Sequence, residues 1–196
     1  MLKKNDFFKN YSNNLNNYNK SLKKTKDIFN SFKNDLKKNK IPLFQVYKKS
    51  YKLNFSTKNI RKFSKYKNII IIGMGGSILG AKSIYSYFKL KIKKEIFFFD
   101  NLDSNLNINY SKIKNLKNSC FIVISKSGNT LETITNLGTI FSKNLLKNKL
   151  IIITEVSNNA LMKVATKYKA EIIEHKKFIG GRYSVLSETG MFPAAL

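Results

Sequence analysis

Four short runs, Asn68–Ile72, Glu95–Phe99, Phe121–Ile124 and Leu150–Ile153, are dense in Ile, Val and Phe and lack the alternation of a half-exposed strand. Strands of that kind must be covered on both faces, which points to a parallel sheet layered between helices. Glu171–Ile173 is a weaker fifth run. Between the runs lie helical patterns at Ile78–Phe88, Asn105–Leu116, Leu131–Leu146 and Asn158–Tyr168. The alternation predicts an α/β fold with a doubly wound, parallel, five-stranded sheet. Sheets of this type bind ligands in the loops that leave the carboxyl ends of the strands, so those loops are where function is sought.

The chain changes texture near residue 67. In residues 1–66, Leu15, Tyr18, Leu22, Thr25, Phe29, Phe32 and Leu36 recur at spacings of three and four, one face of an amphipathic helix. Pro42 stops it. This helical lead-in is expected to pack on the domain of residues 67–196 rather than lie on a membrane surface, because Asn is a poor helix former and the apolar face is weak.

The net charge of +26 raises a nucleic-acid reading. Its make-up argues against one. Of 37 basic residues only Arg61 and Arg182 are arginines, and base-edge recognition favours the planar, bidentate guanidinium over the flexible point charge of Lys. The excess is heaviest outside the predicted domain, +16 over residues 1–67, and reads as background of a Lys- and Asn-rich composition. A single Cys excludes an intramolecular disulfide framework and a Cys-based zinc site. No apolar run reaches membrane-spanning length, and the charged start MLKKNDFFKN lacks a following apolar core, so a cytoplasmic setting without a secretory signal is expected.

Three loops carry the chemistry. After the first run comes Gly73-Met74-Gly75-Gly76-Ser77-Ile78-Leu79-Gly80. Its glycines allow close approach of a ligand to the backbone, and the helix behind them offers free N–H groups. A dinucleotide fingerprint fails at Ile78, where a third Gly is needed, and Asp100 lies later than the ribose-binding acid should. A phosphate-binding P-loop fails because no Gly-Lys-Ser/Thr follows. After the third run comes Ser125-Lys126-Ser127-Gly128-Asn129-Thr130-Leu131-Glu132-Thr133, in which hydroxyls, an amide, a Lys and a Gly converge on a helix start. That is more donors than a helix cap needs and suits a phosphate. Asn129 with Glu132 also reads as a capping box. Near the end, Gly180-Gly181-Arg182-Tyr183-Ser184 holds one of the two arginines behind two glycines, and Ser187 stands where it would cap a last helix, Glu188–Leu196.

Taken together and in this order, GMGGSILG, SKSGNTLET and GGRYS resemble the first sugar-isomerase (SIS) domain of the glucose-6-phosphate isomerase family. The resemblance covers about residues 67–196 and implies a flavodoxin-like sheet. It implies interconversion of glucose 6-phosphate and fructose 6-phosphate, an aldose–ketose isomerisation of glycolysis and gluconeogenesis that needs no metal or redox cofactor. By the same resemblance Ser125, Lys126, Ser127 and Thr130 hold the phosphate, Gly76 and Ser77 meet the sugar hydroxyls, and Glu132 shapes the site. Arg182 stands by the developing enediolate, where a fixed cation stabilises charge that appears during reaction. The family is usually homodimeric.

The sequence departs from the family in one respect. The family's glutamate base, ring-opening histidine and late lysine lie beyond the GGR segment, whereas this sequence runs 14 residues past Arg182. His175 precedes Arg182 and does not match the catalytic histidine; in its polar EHKK setting it is expected to be solvated. Glu188 does not match the base. The chain is therefore expected to be the N-terminal part of an isomerase with an incomplete site, or alternatively a sugar-phosphate-binding SIS module without catalysis.

Overall fold

The computed structural model of the chain describes residues 15–141 and 149–196. The start of the chain and the predicted helical residues 142–146 lie outside the described residues. Contacts divide the chain into two units, Met1–Gln45 and Val46–Leu196.

In the first unit the predicted amphipathic helix is α1, Leu15–Lys37. Its Thr25 hydroxyl donates to the Ser21 carbonyl (2.9 Å), so Thr25 serves the helix's own backbone. Phe32 meets the ring of Phe44 edge-on at 5.9 Å, and Pro42 opens a 3-10 turn after the helix has ended.

The second unit holds the predicted parallel sheet. Its strands are β1 (Asn68–Gly73), β2 (Glu95–Phe99), β3 (Ser119–Ile124), β4 (Leu150–Thr154) and β5 (Glu171–Glu174), in the spatial order β2-β1-β3-β4-β5 with every pairing parallel. After α1, the helices are α2 (Thr57–Ser64), α3 (Gly76–Phe88), α4 (Leu106–Ser111), α5 (Leu131–Phe141), α6 (Ala160–Tyr168) and α7 (Glu188–Ala195). The predicted helix Asn105–Leu116 is shorter than its pattern, because the chain turns at Asn115 with φ +58° into a 3-10 turn before β3.

Alternation along the buried strands sends side chains into two cores. Ile70, Ile72, Phe121, Val123 and Ile152 face α4, α5 and α6 through Leu106, Leu137 and Leu161. Ile69, Ile71, Ile122, Ile124, Ile151 and Ile153 face α2, α3 and α7 through Phe63, Ile78 and Phe192. Burial on both faces is why these strands carry no polar alternation.

Helix α2 has no counterpart among the predicted elements. Its signal is a capping box: the Ser56 hydroxyl accepts from the Asn59 N–H and the Asn59 side chain accepts from the Ser56 N–H. Residues 51–62 form a strap along the edge strand β5. The Asn54 amide donates to the Glu174 carbonyl (3.1 Å), the Asn59 amide to the Glu171 carboxylate (2.7 Å), and Lys62 pairs with Glu171 (2.6 Å). Lys176 donates back to the Lys52 carbonyl (2.7 Å). A strand edge laced this way is closed to further pairing. Among the described residues no helix is long and apolar enough to cross a membrane.

Candidate functional site

The sheet order fixes where a site belongs. The chain passes from β1 outward to β2, then returns to place β3 on the other side of β1, so the topological switch lies between β1 and β3. Gly73 and Ile124, the last residues of these two strands, are register partners. Met74–Ser77 and Ser125–Thr130 therefore leave the sheet side by side.

The third motif joins them. Gly76 is packed so closely by the Gly181-Arg182 backbone that a Cβ there would run into the Gly181 carbonyl. The Ser184 hydroxyl lies 3.1 Å from the Gly76 carbonyl and 2.7 Å from that of Gly181. The Ser184 carbonyl accepts from the hydroxyls of Ser187 and Thr189, both at 2.7 Å. These bonds hold the Gly180–Ser184 turn between α3 and the start of α7. Arg182 itself is exposed, and among the described residues its guanidinium has no hydrogen-bond or ion-pair partner.

The loop after β3 is built from its own polar side chains. Ser125, 2% exposed, shares a hydrogen bond with the Thr130 hydroxyl (2.8 Å), and its carbonyl and hydroxyl both accept from the Gly128 N–H (3.1 and 3.2 Å). Gly128 takes φ +67°, a conformation that favours glycine, and its missing side chain makes room for Asn159. The exposed Ser127 hydroxyl accepts from the Asn129 N–H (3.3 Å). The N–H groups of Lys126, Ser127 and Thr130 donate to nothing among the described residues. Three free N–H groups, a hydroxyl and the start of α5 make a cradle suited to an anion. Ser77 stands half-buried in the first turn of α3, and Glu132 half-buried in the first turn of α5.

Three side chains make contacts that the sequence did not indicate. Asn129 does not cap α5; its Oδ1 accepts from the Ala160 N–H (2.9 Å) and so serves α6. The Lys126 ammonium is already partnered, by the Lys177 carbonyl (2.7 Å) and Glu155 (3.5 Å). That leaves Lys126 its backbone N–H and one ammonium proton. Ser187 holds the N-cap position of α7, but its hydroxyl serves Ser184 rather than the helix.

Asn159 is a supporting residue that the motifs did not single out. It is 3% exposed and caps α6 by accepting from the Met162 N–H (2.9 Å). Its Nδ2 donates to the Glu155 carbonyl (3.0 Å) and Ser157 (3.1 Å). The available signal was an Asn at the start of the helical pattern Asn158–Tyr168.

His175 corrects the expectation of a solvated ring. It is 1% exposed at the end of β5, with its N–H on the Thr154 carbonyl (2.8 Å) and Nδ1 3.1 Å from the Lys176 carbonyl. Burial lowers its pKa from 6.5; the Lys176 carbonyl, Glu188 and Glu155 oppose that shift and Lys126 adds to it. The folded ring binds its proton less readily than the unfolded one, so stability is full above pH 6.5 and is lost as the pH falls toward the depressed value. As the chain has one histidine, a His175→Gln variant is expected to lack this part of the slope in denaturant midpoint against pH. Glu188 is fully enclosed: Oε1 accepts from the Asn54 N–H (2.9 Å) and the Tyr51 hydroxyl (3.5 Å), while Oε2 has no partner among the described residues. Burial, reinforced by Glu188, raises the Tyr51 pKa and keeps that hydroxyl protonated.

Residues 54–196 match the model of the family described as phosphoglucose isomerase. The chain is 36% identical over 137 residues to the glucose-6-phosphate isomerase of Methanocaldococcus jannaschii, covering 68% of this chain and 33% of that one. It is 32% identical over 177 residues to that of Borreliella afzelii, covering 84% and 32%. A crystal structure of a glucose-6-phosphate isomerase from Chlamydia trachomatis superposes with a TM-score of 0.59 at 28% identity, over 68% of this chain and 27% of that one. The chain thus spans about a third of the length of the curated relatives it matches.

Proposed function

The chain belongs to the phosphoglucose isomerase family, and from that premise we propose that it binds glucose 6-phosphate and fructose 6-phosphate in the crevice between β1 and β3 and contributes to their interconversion. The observation that carries this reading is the convergence of three separated segments: Gly76, the Ser125–Thr130 loop, and Gly181-Arg182 packed against Gly76.

The cradle formed by the free N–H groups of Lys126, Ser127 and Thr130 and by the Ser127 hydroxyl takes the phosphate. The Ser125–Thr130 hydrogen bond sets the shape of that cradle and uses one of the two hydroxyl protons, leaving the other to donate to the phosphate. Gly76 and Ser77 meet the sugar hydroxyls. Arg182, a cation unpaired among the described residues and held on a fixed turn, faces the carbon atoms that exchange the proton and stabilises the enediolate as its charge develops. Glu132 completes the wall on α5. A cytoplasmic setting and a homodimer belong to the same reading.

Proton transfer between C2 and C1 needs a base that reaches the substrate. His175 at 1% exposure and Glu188 at 0% are enclosed and do not. That observation favours, for this chain by itself, binding with little turnover, which is also the behaviour of a non-catalytic SIS module. Titration calorimetry with glucose 6-phosphate tests the site. Ser127→Ala, which removes an exposed hydroxyl and leaves the fold intact, is expected to weaken binding about tenfold, the effect of one hydrogen bond to a charged group. Equal affinity in the variant removes Ser127 from the phosphate site.

A further inference from the structure

The sheet has two edges, and they are treated differently. The β5 edge carries Glu171 and Glu174 and is laced by the strap of residues 51–62. At the other edge no strand pairs beyond β2 among the described residues. Glu95 donates its N–H to the Lys67 carbonyl on the β1 side (3.1 Å). By the two-residue period of a strand, Ile96 and Phe98 therefore turn their N–H and C=O groups away from β1. The side chains of Ile96, Phe97 and Phe98 are only half-buried. An open apolar edge of this kind is a template for pairing unless something is provided to meet it.

Two hollows flank this strand. One, about 450 Å³, is walled by Ile96, Phe98, Tyr85, Phe88 and Ile92, with Lys91 and Lys93 at its margin. The other, about 360 Å³, is lined by Phe97, Glu95, Lys94, Lys112 and Lys114. The edge thus offers backbone groups in the middle, an apolar pocket on one side, a hollow lined largely by charged side chains on the other, and lysines around the rim. Lys94 is engaged by the Ser64 and Tyr66 carbonyls (2.6 and 3.0 Å), and its burial lowers its pKa; Lys112 donates to Asn109 Oδ1 (3.2 Å), and Lys91, Lys93 and Lys114 remain to meet a partner's charge.

Charge selects the occupant. A second copy would set one lysine rim against another in a chain that already carries +26, and like charges in register are disfavoured. We propose that the free edge of β2 accepts an extended, acidic segment of another polypeptide as a sixth strand, with every second side chain apolar and in the first hollow, the polar ones over the second, and carboxylates on the lysine rim.

The test uses the whole chain and a labelled synthetic peptide of alternating Val and Thr with Glu at both ends, against the same peptide with Lys ends, read by fluorescence anisotropy. The acidic peptide is expected to bind at least roughly tenfold more tightly, with an advantage that shrinks in high salt. Ile96→Pro removes an outward N–H, which an edge strand tolerates, and is expected to abolish binding while circular dichroism stays unchanged. Should that variant unfold, Lys91→Glu with Lys114→Glu decides: the preference reverses toward the basic peptide. Equal binding of both peptides, no binding of either, or full binding by folded Ile96→Pro overturns the proposal. So does a dimer, seen by sedimentation, that Ile96→Pro disperses, because it makes a second copy the occupant.

Discussion

Gly76→Ala is expected to destabilise the protein and to cost most of its affinity for sugar phosphates, although helix propensity alone predicts the opposite sign. Gly76 is the first residue of α3, with no side-chain cap before it. In a helix, exchanging Gly for Ala gains up to about 1 kcal/mol. At this position the new methyl group runs into the backbone of Gly181 and comes within 2.9 Å of the Arg182 N–H. A backbone carbonyl has no rotamer by which to move aside, and overpacking of this kind costs about 1–3 kcal/mol. The collision therefore outweighs the propensity. The strain falls on the turn that presents Arg182, so binding is expected to weaken more than tenfold even where the fold survives, a loss of over about 1.4 kcal/mol. Chemical denaturation and calorimetry on the same variant separate the two effects. Gly138→Ala in α5 is the control: a Cβ there meets nothing, and a modest gain in stability with unchanged binding is expected.

Gly128→Ala is expected to have the other large effect, for a different reason. Here the backbone itself excludes a side chain: φ +67° costs a non-glycine residue about 1–2 kcal/mol. The methyl group also strikes Asn159, which cannot yield, because its amide is held by the Glu155 carbonyl and Ser157 and its oxygen caps α6. The sum is a loss of about 2–5 kcal/mol, read as a drop in denaturant midpoint. Because Gly128 also donates to Ser125, the loop that would cradle the phosphate shifts with it. A midpoint within error of the parent would mean that the loop takes another conformation.

The contrast between these glycines and the other site residues shows what sequence carried and what it did not. Strands β1, β3 and β4 were legible because burial on both faces forces runs of Ile, Val and Phe, and that constraint acts on each residue separately; the edge strands β2 and β5 are less buried, and β5 gave the weaker signal. Helix α2 was obscured by its many polar residues; it buries Phe63 alone. The fates of Asn129, Lys126 and His175 were illegible for a common reason: each is decided by a partner far along the chain. Asn129 answers to Ala160, Lys126 to Lys177 and Glu155, and His175 to the packing that covers β5. A polar residue in a polar stretch reads as solvated until the segment that encloses it is known. The meeting of Gly76 with Gly181 is of the same kind. The motif GGRYS announced that a guanidinium was being placed; where it was placed depended on a contact spanning more than a hundred residues.

The central claim is that three loops, from β1, from β3 and from the turn before α7, form one sugar-phosphate site. Amide shift mapping of the isotopically labelled chain tests it directly, with glucose 6-phosphate as ligand and glucose as the control without phosphate. Glucose 6-phosphate is predicted to shift the amides of Gly76 and Ser77, of Lys126 through Thr130, and of Gly181 and Arg182 with a single binding curve, and glucose to leave the Lys126–Thr130 amides where they are. Shifts confined to one of the three segments, shifts elsewhere on the sheet, or an equal response to glucose would contradict the account.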